Sequence, residues 1–298
     1  MNNTKTLRPF GWRDKLGYAM GDMGCGFTFQ LVTAFMQLFY LQYIGIKASD
    51  YAVIILISKA FDAVNDIVIG NLVDTKRLGK KSKYMPWIIA GALILVVFNV
   101  MLFAPITSFP YAAKYAWCLI SYCLWSIAYT MVNVPYGSLH SVITDKPNER
   151  QALSTFRSIG SGIGGAVVLF VAPMFIYNNV TINGKEVQQA DGNKMFLFGI
   201  AMGVLSLVFY LWGYKSTKER VPSEAKPEFD FKATYMGLIK SRPFVTVALA
   251  GVLISGQLQF GSFNSYLYKN YFVNTGLGTI GTICTYLPMA ALILFTPK

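Results

Sequence analysis

Charged side chains are scarce in this sequence. Asp, Glu, Lys and Arg together make up 13% of its 298 residues, whereas hydrophobic residues make up 54%. Soluble domains usually contain about 25% charged residues. The chain is also rich in large rings, with 22 Phe and 18 Tyr. This composition excludes an ordinary soluble domain and indicates a protein that is embedded in a lipid bilayer.

Residues that perform catalysis or bind metals in enzymes are also few. His140 is the one histidine, and neither Cys nor Asp stands directly beside it. The four cysteines lie in apolar stretches without the spacing of a zinc site: Cys25, Cys118, Cys123 and Cys284. These features argue against acyl or phosphoryl chemistry. We therefore expect neither an enzyme nor a cofactor, and we interpret His140 as a packing residue in preference to a proton relay.

One glycine-rich segment, GSGIGGAV at residues 160–167, has a different context from a phosphate-binding loop. It does not follow a predicted strand, and it stands inside an apolar stretch. Small residues allow transmembrane helices to approach each other closely. We therefore predict a close helix contact at this segment.

Eight apolar segments are long enough to cross the hydrocarbon core, which takes about 20 helical residues. The long polar segment 215–243 separates the first six from the last two. We predict an all-α integral membrane protein with a six-span bundle over 1–214, a cytoplasmic linker over 215–243 and the start of a second bundle over 244–298. The spans lie at 22–45, 50–73, 85–106, 113–142, 154–176, 195–214, 244–268 and 279–296.

The basic residues are distributed unevenly between the two ends of these spans. The chain has 26 Lys and Arg against 14 Asp and Glu, a net charge of +12. The loops on the side of the amino terminus hold 18 Lys and Arg, and the opposite loops hold five. Cytoplasmic loops of membrane proteins accumulate such residues. We therefore expect a multi-pass protein of the plasma (inner) membrane with a cytoplasmic amino terminus, and we expect no nucleic-acid partner.

The second span is unusual because it carries three ionisable groups. Its central stretch KAFDAVNDIVIG, residues 59–70, contains Lys59, Asp62 and Asp66, together with Asn65. On a helix that turns 100° per residue, the polar side chains Lys59, Asp62, Asn65 and Asp66 all lie within an arc of about 120°, and the opposite arc is apolar. The pattern predicts a transmembrane helix with one polar stripe.

Two interpretations of this stripe remain open on the residues alone. Carboxylates within a membrane are costly and usually face a cavity or a partner. Hard cations such as sodium prefer oxygen ligands, which Asp62, Asn65 and Asp66 would supply at helical spacing. In the alternative, Lys59 pairs with Asp62, and Asp66 binds a neighbouring helix in a purely structural network.

Three longer segments carry a more specific pattern. FDAVNDIVIGNLVDTKRLGKKSKYMPW, at 61–87, combines aromatic-D-A-x-x-D with G-x-x-x-D-x-T and a run that ends in P-W. The other two are YTMVNVPYGSLHSVITDKPNERQALSTFRSIG at 129–160 and LGYAMGDMG at 16–24. On these motifs the chain resembles the glycoside–pentoside–hexuronide:cation symporters, the melibiose permease type within the major facilitator superfamily.

The resemblance implies a major facilitator fold, in which two six-helix bundles hold the substrate between them and expose it alternately to each side. It implies symport of a sugar or glycoside with a monovalent cation, sodium or a proton. The expected cation ligands are Asp62, Asn65, Asp66 and Thr130. The expected substrate-binding residues are Asn133, Tyr136, Arg157 and Lys59, although Arg157 is equally compatible with a positive charge that anchors the helix on the cytoplasmic side.

The chain departs from the melibiose permease pattern at the sugar site. Gly26 and Asn133 replace two aspartates that bind galactosyl hydroxyls, and Gly137 replaces a tryptophan that stacks on the sugar. A galactoside is therefore not the expected substrate. Asp22, one turn before Gly26, is either part of an inner gate or a charge at the helix end, and Gln30 is a further candidate.

The chain also differs from the family in length, because it ends in or just after the eighth of twelve expected spans. We expect a truncated gene product or a partial sequence, with a complete amino-terminal bundle and about two helices of the carboxy-terminal one. A symporter of lysolipids or other non-sugar solutes and a non-transporting truncated remnant are the alternatives. The sequence selects neither one sugar, nor sodium over a proton, nor an oligomeric state.

Overall fold

Long helices dominate the fold. The computed structural model describes residues 8–79, 82–182, 185–221, 236–237, 240–251 and 253. The helix α1 continues into a short π-helical segment, Phe39–Ile44. The six α-helices of the described part up to residue 221 are α1 (Trp12–Leu38), α2 (Ala48–Thr75), α3 (Met85–Leu102), α4 (Tyr111–Ile143), α5 (Pro147–Ile176) and α6 (Gly192–Ser216).

Local sequence explains several helix ends. Pro147 is the first residue of α5, where its missing N–H costs no hydrogen bond. Asp191 caps α6, because its carboxylate accepts hydrogen bonds from the backbone N–H groups of Asn193 and Lys194. The π-helical segment ends at Gly45, whose φ of 83° lies in the left-handed region that favours glycine.

The helices pack in a defined order around a continuous apolar core. The helix α1 packs against α5 and α6, α3 packs against α4 and α6, and α2 packs mainly against α4. At the contact between α1 and α5, Cβ atoms on Gly160 and Gly164 would lie 2.1 and 2.5 Å from the carbonyl oxygens of Ala19 and Met23. The predicted close helix contact at residues 160–167 is therefore present.

A short β-hairpin joins α5 to α6, and the sequence patterns did not predict it. Its strands are β1 (Tyr177–Ile182) and β2 (Lys185–Ala190). They pair antiparallel, with Tyr177 opposite Ala190 and Ile182 opposite Lys185. The hairpin lies beyond the end of an apolar helix, where a polar segment has no need to be helical to satisfy its backbone.

Five of the described helices are long and apolar enough to cross a membrane. They are α1 with its π-helical extension, α3, α4, α5 and α6. The helix α2 is not among them; it is 28 residues long but contains Lys59, Asp62 and Asp66. An all-α membrane fold is thus confirmed, with the second span as the exceptional one.

The beginning of α1 differs from the prediction. The helix starts at Trp12 and not near residue 22. Asp14 is fully buried there, and its carboxylate forms ion pairs with Arg8 at 2.8 Å and with Arg220 at 2.9 Å. These partners allow a charged first turn to be buried, which hydropathy alone does not predict.

The chain divides into two compact units, Met1–Glu228 and Phe229–Lys298. In the second unit, residues 242–251 are helical. The predicted span 279–296 and most of the span 244–268 lie outside the described residues. The predicted domain limits at 214 and 243 therefore stay predictions.

Candidate functional site

Two carboxylates of α2 are each hydrogen-bonded to a hydroxyl of α4. The Ser126 hydroxyl donates to Asp62 Oδ1, and the Thr130 hydroxyl donates to Asp66 Oδ1 over 2.8 Å. Both hydroxyl residues are buried. Because Asp62 and Asp66 are four residues apart, as are Ser126 and Thr130, the two bonds form adjacent rungs between parallel helices, separated by about one turn.

Asn65 lies within the same contact. It is 7% exposed, and its side-chain nitrogen has no hydrogen-bond partner among the described residues. Its burial in the middle of α2, which packs mainly against α4, places it on the face that carries the two rungs. A buried amide N–H without a partner costs about 1–3 kcal/mol, so Asn65 is an unsatisfied polar group within this contact. We refer to Asp62, Asn65, Asp66, Ser126 and Thr130 as the carboxylate–hydroxyl cluster.

Lys59 stands at the edge of this cluster. Its Nζ lies 3.1 Å from Asp62 Oδ2 and 5.7 Å from the ring centroid of Tyr122. Asp62 thus uses one oxygen for Lys59 and the other for Ser126. The Lys59 side chain is 62% exposed, and exposed ion pairs contribute only about 0–1 kcal/mol. Both contacts of the structural interpretation are therefore present, because Lys59 pairs with Asp62 and Asp66 accepts from Thr130 of α4. The exposed pair with Lys59 holds Asp62 only weakly, and the two interpretations stay open.

The sequence analysis named four members of the cluster and missed Ser126. Its spacing from Thr130 is the same as that between the aspartates, so the helical period was a usable signal. Within the described ranges, no three His, Cys, Asp or Glu side chains are close enough to hold a metal ion. The oxygen groups here are instead two carboxylates, two hydroxyls and one amide.

A separate, open cavity of about 890 Å³ lies along α1 and α5. Its polar lining includes Asp22, Gln30 and Arg157. Arg157 Nε lies 3.3 Å from Asp22 Oδ1. The Asp22 side chain is 7% exposed and that of Arg157 is 37% exposed, so the buried carboxylate holds an arginine that reaches the cavity. The remaining lining consists of Ser158, Ser161, Gly162, Gly165, Ala166, Leu169 and Phe170.

The ring of Tyr136 packs against the guanidinium of Arg157. The guanidinium carbon of Arg157 lies 5.4 Å from the centroid of the Tyr136 ring, which is a cation–π distance. The Tyr136 ring stacks on that of Tyr18 at 4.7 Å, and its hydroxyl donates to the Tyr18 carbonyl. Tyr136 is buried and does not line the cavity. In this position the Tyr136 ring packs against the Arg157 guanidinium, and its predicted contact with the substrate stays a prediction.

The three positions at which the chain departs from the melibiose permease pattern differ from one another in how closely they are packed. A Cβ atom on Gly26 would lie 3.1 Å from the Ser161 carbonyl oxygen, so the contact with α5 leaves little room for an aspartate. A Cβ atom on Gly137 would have only Arg157 Nη1 within reach, at 4.0 Å. Asn133 is half-buried and, like Lys59, is not part of the cavity lining.

His140 is engaged in local hydrogen bonds. Its Nε2 lies 2.8 Å from the Arg150 carbonyl oxygen and 3.1 Å from the Ser154 hydroxyl. These contacts tie the end of α4 to the beginning of α5. They are consistent with the packing role that the sequence analysis preferred.

Comparison with known proteins identifies the family. A family model described as "MFS/sugar transport protein" matches residues 17–298. The chain therefore belongs to this family of membrane transporters in the major facilitator superfamily. The names of its relatives, given next, describe symporters and carriers and confirm the resemblance to glycoside–pentoside–hexuronide:cation symporters.

Three relatives illustrate the similarity. The uncharacterized symporter YjmB of Bacillus subtilis (strain 168) is 29% identical over 93% of this chain and 58% of its own length. The glucuronide carrier protein homolog of Escherichia coli (strain K12) is 26% identical over 92% of this chain and 58% of its own. The putative glycoside/cation symporter YagG of the same organism is 32% identical over 72% of this chain and 45% of its own. The chain thus spans about half the length of the relatives it matches.

Proposed function

We propose that the protein is a cation-coupled symporter of a sugar or glycoside. The carboxylate–hydroxyl cluster is the observation that carries this proposal. Two carboxylates in a membrane helix are costly unless they bind something, and here each is oriented by a buried hydroxyl of a neighbouring helix. Carboxylate, hydroxyl and amide oxygens suit sodium, and the same carboxylates could carry a proton.

The proposed solute-binding site is the cavity along α1 and α5. Arg157 offers hydrogen-bond donors and Asp22 and Gln30 offer acceptors, the two kinds of group that a polyhydroxylated solute needs. Most of the remaining wall consists of small residues, together with Leu169 and Phe170, and the cavity has room for a sugar ring. Relatives named as a glucuronide carrier homolog and a glycoside/cation symporter support this solute class. The close packing at Gly26 argues against galactoside recognition of the melibiose permease type.

The cycle that we propose follows from the family. The bundle described here would rock against a second bundle and expose the solute first to one side of the membrane and then to the other. The distribution of basic residues supports a plasma-membrane protein with its amino terminus in the cytoplasm.

Solute accumulation in proteoliposomes tests the proposal. The full chain is reconstituted, and uptake of a radiolabelled methyl glucuronide and a neutral methyl glucoside is measured with an inward sodium gradient, an inward proton gradient or none. We expect gradient-dependent accumulation that Asp62→Asn and Asp66→Asn each abolish, because both substitutions remove a charge that the cation neutralises.

The same samples separate this function from its alternatives. Equilibrium dialysis with ²²Na measures ion binding independently of transport. A chain that binds sodium but moves no solute is a non-transporting remnant. Accumulation that is unchanged in both aspartate variants would contradict cation coupling through the cluster, and cation-driven movement of a lysolipid but neither sugar would assign a different substrate.

A further inference from the structure

Ser126 is the member of the carboxylate–hydroxyl cluster to which the family resemblance assigns no role. It occupies the same position relative to Asp62 that Thr130 occupies relative to Asp66, one turn along the same pair of helices. It is 5% exposed and belongs to the face of α4 that packs against α2. Two equivalent hydroxyl–carboxylate pairs therefore stand where the sequence analysis expected one.

We infer that Ser126 is a further ligand of the coupling cation and that its oxygen favours a metal ion such as sodium over a proton. This inference rests on the proposed function, because it adds a ligand to the proposed cation site. A serine hydroxyl has one donor and two acceptor lone pairs. When it donates to Asp62, both lone pairs remain free for a cation that the same carboxylate binds.

The chemistry of the ligands gives the selectivity. A proton needs a single carboxylate oxygen, whereas a hard metal ion needs several oxygens around it. Each added neutral oxygen therefore improves the site for sodium or lithium and adds little for a proton. With Ser126, both ends of the cluster offer a carboxylate and a hydroxyl to a shared ion.

Asn65 is an independent sign that the cluster binds a ligand. Its side chain is more than nine-tenths buried on the α2 face that packs against α4, and its amide nitrogen has no partner among the described residues. The oxygen and nitrogen of such an amide are interchangeable by rotation of the group. In the rotated orientation the oxygen takes the position that has no partner among the described side chains, where a cation bound between Asp62 and Asp66 would be its partner.

Ion binding to the full chain in lipid nanodiscs tests the inference. The apparent Kd values for sodium and lithium are measured by ²²Na equilibrium dialysis and lithium competition, and the sodium-dependent rise in Tm is a second readout. We expect Ser126→Ala to raise the apparent Kd for sodium about tenfold or more, the size expected when one contact to a charged group is lost. Ser126→Thr, which keeps the oxygen, should retain binding.

A conservative variant and a matched control exclude a general packing effect. Ser126→Cys keeps the side-chain shape but replaces the oxygen with a soft sulfur, a poor ligand for sodium, so it should weaken binding as the alanine variant does even if Ser126→Ala fails to fold. Ser121→Ala removes another fully buried hydroxyl of α4, one that contacts Tyr40 and lies outside the cluster. It should leave the sodium affinity unchanged.

The outcomes distinguish this inference from the proposed function. If Asp62→Asn abolishes sodium binding while Ser126→Cys binds sodium with the wild-type affinity, the cation site stands and Ser126 is not a ligand. If the wild-type chain binds neither sodium nor lithium and takes up solute with a proton gradient alone, the metal preference is overturned while symport is retained. If it binds no cation and no gradient drives uptake, both proposals fail.

Discussion

At the scale of single residues, the ion pair of Asp22 and Arg157 determines which charged group lines the cavity along α1 and α5. Asp22 is buried and accepts a hydrogen bond from Arg157 Nε, and the guanidinium also lies over the ring of Tyr136. The sequence analysis considered Asp22 either as part of an inner gate or as a helix-end charge, and Arg157 either as a substrate-binding residue or as a membrane anchor. Their pairing across α1 and α5 favours a common role, in which the carboxylate orients the arginine toward the cavity.

Replacing Asp22 by Asn tests this pairing. The variant removes the charge that holds Arg157, and we expect a loss of about 1–3 kcal/mol of stability, below the full cost of breaking a buried pair because Arg157 is partly exposed. Solute affinity should fall together with stability because the guanidinium is no longer oriented. Thermal unfolding and binding of the labelled methyl glucuronide measure the two effects.

An ion pair at the protein surface is the control for that experiment. Lys146 and Glu149 are 3.3 Å apart, and Lys146 is 72% exposed. Lys146→Ala should change stability by less than about 0.5 kcal/mol and leave solute binding intact. Equal losses of stability and of solute binding in the Asp22 and Lys146 variants would contradict the proposed role of the Asp22–Arg157 pair.

The residues of the candidate site were predictable to the extent that they share one helix. The period of α2 alone placed Asp62, Asn65 and Asp66 on one face. Ser126 was missed although its spacing from Thr130 repeats that of the aspartates. Its pairing with Asp62 depends on the relative register of two helices, which a single sequence does not state. The contacts of the Tyr136 ring with Tyr18 and Arg157 were not predicted for the same reason, because they depend on how α4 packs against α1 and α5.

At the scale of secondary-structure elements, the contact between α1 and α5 positions both walls of the cavity. The backbones approach so closely at Gly160 and Gly164 that no side chain fits between them. Gly162 lies on the same helix, but nothing is within 4 Å of a Cβ atom placed on it. Gly160 and Gly164 are therefore tightly packed against α1, whereas Gly162 in the same short segment faces open space.

Alanine substitutions at these two kinds of glycine should have effects of opposite sign. Gly160→Ala forces the Ala19 carbonyl away and should destabilise the protein by about 1–3 kcal/mol, the usual cost of overpacking. Gly162→Ala has space for its methyl group and should stabilise α5 by up to about 1 kcal/mol through helix propensity. Thermal unfolding in the same detergent compares both variants with the wild type, and stabilisation by Gly160→Ala would contradict the close contact.

Elements were predicted well where hydropathy determines them and poorly where tertiary contacts do. The apolar cores of α3 and α4 were located correctly because they contain almost no charge. The first turn of α1 was missed because Asp14 is buried by Arg8 and Arg220, which are distant from each other in sequence. The hairpin after α5 was missed because its polar residues resemble an ordinary loop.

At the scale of the whole molecule, the helix ends that carry the basic loops are joined by a polar network. The Glu219 carboxylate accepts hydrogen bonds from the backbone N–H groups of Tyr84 and Met85 and so caps the beginning of α3. Arg220 reaches Asp14 at the beginning of α1 and the Ile143 carbonyl at the end of α4. The start of the polar segment after α6 is thereby fixed to three other helices on one side of the bundle.

The positive charge around this network predicts its orientation in the membrane, which cysteine labelling measures. Ser49 at the beginning of α2 and Asn148 at the beginning of α5 are both exposed and stand at opposite ends of the bundle. In intact cells, a membrane-impermeant maleimide should label Ser49→Cys and not Asn148→Cys, because the distribution of basic residues predicts that the loop with Asn148 lies on the cytoplasmic side. Both should be labelled after permeabilisation, and the unsubstituted chain gives the background from its own cysteines. Labelling of Asn148→Cys alone in intact cells would reverse the assignment and place the Glu219 and Arg220 contacts outside the cell.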